Sequence, residues 1–139
     1  NPPDYIFSFV NNKVVPSSIL KYVKYFAINY HNALLPKYSG NHATSWAILN
    51  NEKQHGITWH VMTDIIDGGD ILKQVKVPIL ANDTTLSLDL KCLNKAIETF
   101  PELIKELADK NYSLIKQAKK ARNYYNLHQK PPCNGLIDW

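Results

Sequence analysis

The run from Phe26 to Ala33 limits what this chain can fold into more than any other stretch. Its aromatic and β-branched content favours an extended strand, and strand side chains alternate between two faces. Ala27, Asn29 and His31 therefore share one face, while Ile28 and Tyr30 share the other. An amide and an imidazole projecting side by side are costly to bury unless they meet polar partners. The stretch that follows, as far as Leu72, is dense in such partners, with His60 on a second strand-like run and Asp64, Asp67 and Asp70 around Gly68 and Gly69.

Taken in order, Tyr5–Val10 reads as a first strand closed by the turn formers Asn11 and Asn12. Pro16, Ser17 and Ser18 give a helix-start signal ahead of Ile19, Leu20 and Val23. After the second strand, Leu34-Leu35-Pro36 is an exit and Lys37–Gly40 a loop. A helix is expected from about Asn41 to Asn50, burying Ala43, Trp46, Ala47 and Leu49. Strands follow at Ile57–Met62 and Ile71–Ile79, separated by the Asp64–Asp70 loop, where Gly68 and Gly69 permit positive φ and close backbone approach. From Asp83 onward, Leu86, Leu90, Leu93, Ile97, Phe100, Ile104 and Leu107 recur at helical spacing. They predict one buried stripe on a helix kinked at Pro101, or on two abutting helices. Asn111 to about Ala121 reads as a basic helix and the remainder as a tail. Residues 1–110 are thus taken as one domain and 111–139 as a basic helix with a tail or linker.

Alternating strands and helices predict an α/β domain on a mostly parallel sheet flanked by helices, with ligands beyond the C-terminal strand ends. Both the Asn29/His31 pair and the Asp64–Asp70 loop fall at such ends, so a shared site is expected there. The absence of a long apolar run or a signal-peptide pattern points to a soluble, cytoplasmic protein. Cys92 and Cys133 stand outside any metal-ligand spacing and read as free thiols in a reducing compartment. The net charge of +4 comes almost wholly from scattered lysines, with Arg122 the only arginine, which argues against nucleic acid as a partner. Beginning at Asn1 and entering a strand almost at once, the sequence also reads as a piece of a longer chain, whose further domains would be partners.

The chemistry can be argued from residue types. A histidine accepts or delivers a proton near neutral pH, and a carboxylate such as Asp67 can orient it. The Asn29 amide can donate to an oxyanion developing on a carbonyl. No serine or cysteine stands in an activating motif, so the nucleophile is expected to arrive with the substrate. Read alone, Asn29 and His31 would more often be satisfied structural residues than catalytic ones, and Asp67 most often an ordinary turn residue. No coordinating spacing supports a metal site at His31, His60 and Asp67. His42, His55 and His128 read as surface or loop residues, and Trp46 and Trp59 as core.

Asn29-Tyr-His31-Asn-Ala-Leu-Leu-Pro36-Lys-Tyr-Ser-Gly40, with His55-Gly-Ile-Thr-Trp-His60 and Asp64-Ile-Ile-Asp67-Gly-Gly-Asp-Ile-Leu72, resembles the signature of the folate-dependent formyltransferases. The terminal Asn134-Gly-Leu-Ile-Asp-Trp139 is similar to the segment after the catalytic domain in the tRNA and sugar branches. The resemblance implies the C-terminal portion of a Rossmann-like formyltransferase fold, with the family's N-terminal strands missing before Asn1. It implies formyl transfer from 10-formyltetrahydrofolate to a primary amine, with Asn29, His31 and Asp67 catalytic: Asn29 and protonated His31 on the oxyanion, Asp67 orienting His31 and aiding proton removal. It places the pterin against the backbone of Lys13, Val14 and Val15 and of Thr63, Asp64, Ile65, Ile66 and Asp67, and matches His60 to a second histidine of the glycinamide branch. Lys37-Tyr38-Ser39 stands where the tRNA branch carries arginines, so a sugar-nucleotide amine or a carrier-bound amino acid is favoured as acceptor. Two other readings stay open: a hydrolase releasing formate from the same donor, and a non-catalytic folate-binding or interaction domain.

Overall fold

In the computed structural model, residues 1–11 and 13–135 are described. Asn12 of the first predicted turn and most of the Asn134–Trp139 motif therefore lie outside the described residues. In chain order the elements are β1 (Tyr5–Ser8), α1 (Ser17–Leu20), β2 (Phe26–His31), β3 (Ser39–Gly40), α2 (Ala43–Leu49), β4 (Gln54–Val61), β5 (Ile71–Pro78), α3 (Thr85–Ala108), a 3₁₀ turn at Lys119–Ala121 and β6 (Tyr124–Tyr125). No helix among the described residues is long and apolar enough to cross a membrane.

The main sheet has four strands in the order β1-β2-β4-β5. Only β1 and β2 run parallel, with Ser8 opposite Asn29. The β2–β4 and β4–β5 pairs are antiparallel, so the expected mostly parallel sheet is corrected to a mixed one. The reason is connection length: the Met62–Asp70 link between β4 and β5 is shorter than the dozen or so residues that a parallel crossover needs. The seven-residue α2 likewise leaves the chain at the end of the sheet where β2 finishes, and β4 returns beside it. A register shift between Trp59 and His60 leaves Leu72 of β5 without a partner, a bulge of the kind that re-aims neighbouring side chains.

α3 carries its buried face on other residues than the largest ones. Leu88, Cys92, Ala96, Leu103 and Leu107 are buried, whereas Leu86, Leu90 and Ile97 of the expected stripe are 68%, 51% and 59% exposed. Small Cys92 and Ala96 let the helix lie close on the sheet, with the Cys92 thiol 3.7 Å from the Gly56 carbonyl. The helix runs unbroken through Pro101 and starts on a reciprocal capping box between Thr84 and Ser87. Together with Ile28, Ile57 and Trp59 of the sheet, its buried face forms the core. Trp46 and Trp59 are buried as expected, but Leu49 is exposed and Thr44 takes its place on the inner side of α2. This phase predicts that Ala96→Leu costs about 1–3 kcal/mol by overpacking, whereas Leu90→Gln changes stability by less than about 0.5 kcal/mol. Urea unfolding of the two variants checks it; equal losses would contradict it.

The expected basic helix over Asn111–Ala121 is not formed. The segment is an extended strap: Ile115 makes a two-way backbone bridge with Ile71 on the edge of β5, a 3₁₀ turn follows, and β6 pairs in parallel with β3. Unpaired edge groups of β5 and β3 need partners, and an extended segment can supply them where a helix, bonded to itself, cannot.

Candidate active site

The register of β2 against β4 assembles the polar face. Asn29 stands opposite His60 and His31 opposite Thr58, so the amide, the two imidazoles and a hydroxyl meet on adjacent strands. The Asn29 Nδ2 lies 3.3 Å from His60 Nε2. His31 is 6% exposed and His60 2% exposed. The His31 Nε2–H donates to the Tyr38 carbonyl at 2.7 Å, which leaves Nδ1 facing Asp67 Oδ2 at 3.7 Å. With Nε2 committed, the neutral ring presents a proton-accepting Nδ1 to the site; this tautomer is assigned from the partners. His60 Nε2 reaches the other oxygen of Asp67, Oδ1, at 3.3 Å, and its Nδ1–H donates to the Val61 carbonyl at 3.0 Å. A neutral His60 thus accepts from Asn29 at Nε2, and a charged one donates there to Asp67.

Asp67 arrives from the far end of the sheet. Its loop leaves the C-terminal end of β4, which lies antiparallel to β2, and curls back over the polar face. The turn is made at Asp67 itself, which has φ 51°, rather than at the glycines; Gly40 is the positive-φ glycine among the described residues. Gly69 is needed for closeness, since a Cβ there would stand 1.8 Å from the Val61 carbonyl oxygen. The Gly40 N–H donates to Asp67 Oδ2 at 2.7 Å. Burial pulls the Asp67 carboxyl upward, but the His60 hydrogen bond, the nearby His31 and the Gly40 N–H outweigh it and hold the group below its ordinary value. Burial lowers His31 more than Asp67 and the Tyr38 carbonyl raise it. Burial therefore favours a neutral His31 ring beside an ionised Asp67.

The predicted pterin-contacting residues divide into two groups. Thr63, Asp64, Ile65 and Ile66 form an exposed loop, and the first three line a cleft of about 420 Å³ together with Phe26, Val61 and Leu114. Lys13, Val14 and Val15 are not among the residues lining that cleft, and neither are Asn29, His31 and Asp67. The two segments are nonetheless linked, because the Ser17 hydroxyl at the start of α1 donates to Asp64. His55, expected at the surface, is buried at 2% exposure and bonded through Nε2 to the Asn32 carbonyl at 2.6 Å. Burial lowers its pKa and fits a structural role supporting the β2 exit. The Gly40 amide and Gln117, whose Nε2 donates to the Asp67 and Gly69 carbonyls, escaped the sequence reading. A backbone donor leaves no side-chain signal, and a lone glutamine in a basic run carries none either.

The Formyl transferase family model matches residues 2–104, a span that includes Asn29, His31, His60 and Asp67. The chain belongs to the formyl transferase family. It is 36% identical over 137 residues to the bifunctional polymyxin resistance protein ArnA of Wigglesworthia glossinidia brevipalpis, a match covering 99% of this chain and 21% of that protein. Among solved structures it resembles a 4-N formyltransferase from Francisella tularensis, with TM-score 0.81 and 28% identity, covering 90% of this chain and 50% of that one. It is similar also to the N-formyltransferase of Helicobacter canadensis in complex with folinic acid and dTDP-3-aminofucose, with TM-score 0.78 and 28% identity, covering 90% of this chain and 48% of that one. This family member thus spans about half the length of those formyltransferase structures and 21% of the curated relative.

Proposed function

We propose that this chain carries the catalytic elements for transfer of a formyl group from 10-formyltetrahydrofolate to the primary amine of a sugar nucleotide. The observation that carries the reading is the His31 ring, pinned at Nε2 by the Tyr38 carbonyl and presenting Nδ1 to the ionised Asp67 beside the Asn29 amide. The cleft beside the Asp67 loop fits a flat ring with amide edges: Phe26, Val61 and Leu114 offer an apolar wall, and the exposed loop offers backbone donors and acceptors. The sugar-nucleotide preference over a carrier-bound amino acid rests on the relatives, one of which was solved with an amino-sugar nucleotide.

In this mechanism the substrate amine attacks the formyl carbon and a tetrahedral intermediate forms. The Asn29 amide donates to its oxyanion, an interaction of about 3–4 kcal/mol where such donors have been removed. His31 Nδ1 takes the proton released by the attacking nitrogen, and Asp67 stabilises the resulting imidazolium across the 3.7 Å gap. The bond from the formyl carbon to the folate nitrogen then breaks, and that nitrogen leaves with the proton returned by His31. His60 steadies the Asn29 amide when neutral and the Asp67 carboxylate when charged.

Incubating the full-length protein with 10-formyltetrahydrofolate and a panel of amino-sugar nucleotides, aminoacyl carriers and charged tRNA tests the reading by mass of product. Formylated sugar nucleotide is expected. Formate released equally without amine would favour the hydrolase, and folate binding without turnover would favour the non-catalytic domain.

A further inference from the structure

The strap that follows α3 lies beyond residue 104, where the family match ends, yet it holds both loops that build the site. On one side, the two hydrogens of the Gln117 amide go to the Asp67 carbonyl at 2.8 Å and the Gly69 carbonyl at 2.7 Å. Arg122 Nη2 donates to the Ile66 carbonyl at 2.9 Å. On the other side, the Asn123 side-chain oxygen accepts from the Tyr38 N–H, its carbonyl accepts from Ser39 N–H at 3.0 Å, and the Tyr125 carbonyl accepts from Asn41 N–H at 2.9 Å. These are the residues around the two groups that touch the catalytic pair, the Tyr38 carbonyl on His31 and the Gly40 N–H on Asp67.

Asp67 sits at φ 51°, a left-handed backbone that persists only where its surroundings over-determine it. Gln117 is placed to do that, because one planar amide bridges the carbonyl of Asp67 and that of the residue two further on. The amide orientation follows from the chemistry, since the reverse assignment would set an oxygen against two carbonyl oxygens. The same strap adds Leu114 to the wall of the cleft.

We infer that Gln117 is a positioning residue for formyl transfer: it locks the turn at Asp67 so that the carboxylate faces His31 and His60, and the working unit therefore extends through the strap to Tyr125. The inference rests on the formyl-transfer reading. It differs from a general stabilising role because its effect passes through Asp67 to the proton chemistry of His31. The titratable groups facing His31 are Asp67 and His60, with His55 behind them; the strap's Lys116, Lys119 and Lys120 are exposed.

The experiment uses the full-length protein, Gln117→Met, which keeps length but removes both donors, and Lys119→Ala as a control on the strap. In Gln117→Met, kcat is expected to fall roughly 10- to 100-fold, as for a misplacement on the scale of 1 Å, while KM for the amine changes little. Histidine-selective NMR titration is expected to show His31 moving to a lower pKa in the same variant, with no change in Lys119→Ala. In the unsubstituted protein, the Gln117 side-chain amide protons are expected to exchange slowly, a measurement that needs no variant to fold. Rapid exchange of those protons, or a folded Gln117→Met with wild-type kcat and wild-type His31 titration, would overturn the inference. Absence of formyl transfer in the unsubstituted protein would instead count against the activity itself, while amide exchange and titration would still decide the role of Gln117.

Discussion

His31→Gln is expected to lower kcat by roughly 10²- to 10⁴-fold, the range seen when a positioned acid–base group is removed. Glutamine is chosen because its amide can still donate to the Tyr38 carbonyl, which alanine would leave buried without a partner at a cost of about 1–3 kcal/mol. The folded state should therefore survive while the titrating nitrogen is lost. KM for the folate should change little, since His31 does not line the cleft. Steady-state kinetics beside a melting curve check this. A variant with both wild-type kcat and wild-type stability would place His31 outside the chemistry.

Asp67→Asn should act on the same proton in a different way. The side chain keeps its shape and an oxygen for the Gly40 N–H, but the charge that raises His31 against the lowering effect of burial is gone. In the proposed mechanism the proton acceptor is neutral His31, so activity should fall as pH drops through the His31 pKa, which burial already holds below the ordinary value of about 6.5. Removing the carboxylate lowers that pKa further, and the acid limb of the pH–rate profile should move to lower pH. The plateau should drop by about 10²-fold or more, because the imidazolium formed in the reaction loses its counter-charge. Stability runs in the same direction as activity at low pH. The Asp67 carboxyl is held below its unfolded value, so the stability it contributes is present above that value and is lost as pH falls through its folded pKa. The variant should accordingly lack this carboxylate component of the acid loss. An acid limb that stays in place or moves upward would contradict the assigned pairing of Asp67 with His31.

The strands and their polar face were legible because they depend on local pattern. Alternation along Phe26–His31 put Asn29 and His31 on one side, and the structure keeps them there. The direction of the strands was not legible, because periodicity is the same for parallel and antiparallel neighbours. It was decided by the short link between β4 and β5. The phase of α3 was misread for a related reason: apolar size marked Leu86, Leu90 and Ile97, whereas close packing on the sheet favoured the small residues Cys92 and Ala96. The candidate site was legible as residue types, and its geometry was not. The Gly40 amide, the left-handed turn at Asp67 and the Gln117 bridge are set by tertiary contacts between distant segments. The strap read as a basic helix because its lysines resemble a solvated helix face, while the pairing that keeps it extended lies on Ile71 and on Ser39–Gly40.

The central claim is that Asn29, His31 and Asp67 move a formyl group onto an amine. Its most direct test supplies the full-length protein with 10-formyltetrahydrofolate carrying ¹³C in the formyl group, together with an amino-sugar nucleotide, and follows the label by NMR. The label is expected in a new formamide on the sugar in the wild type, and in the donor alone over the same time with His31→Gln. Label appearing in free formate instead, or an equal rate of formamide formation in the two proteins, would contradict the account.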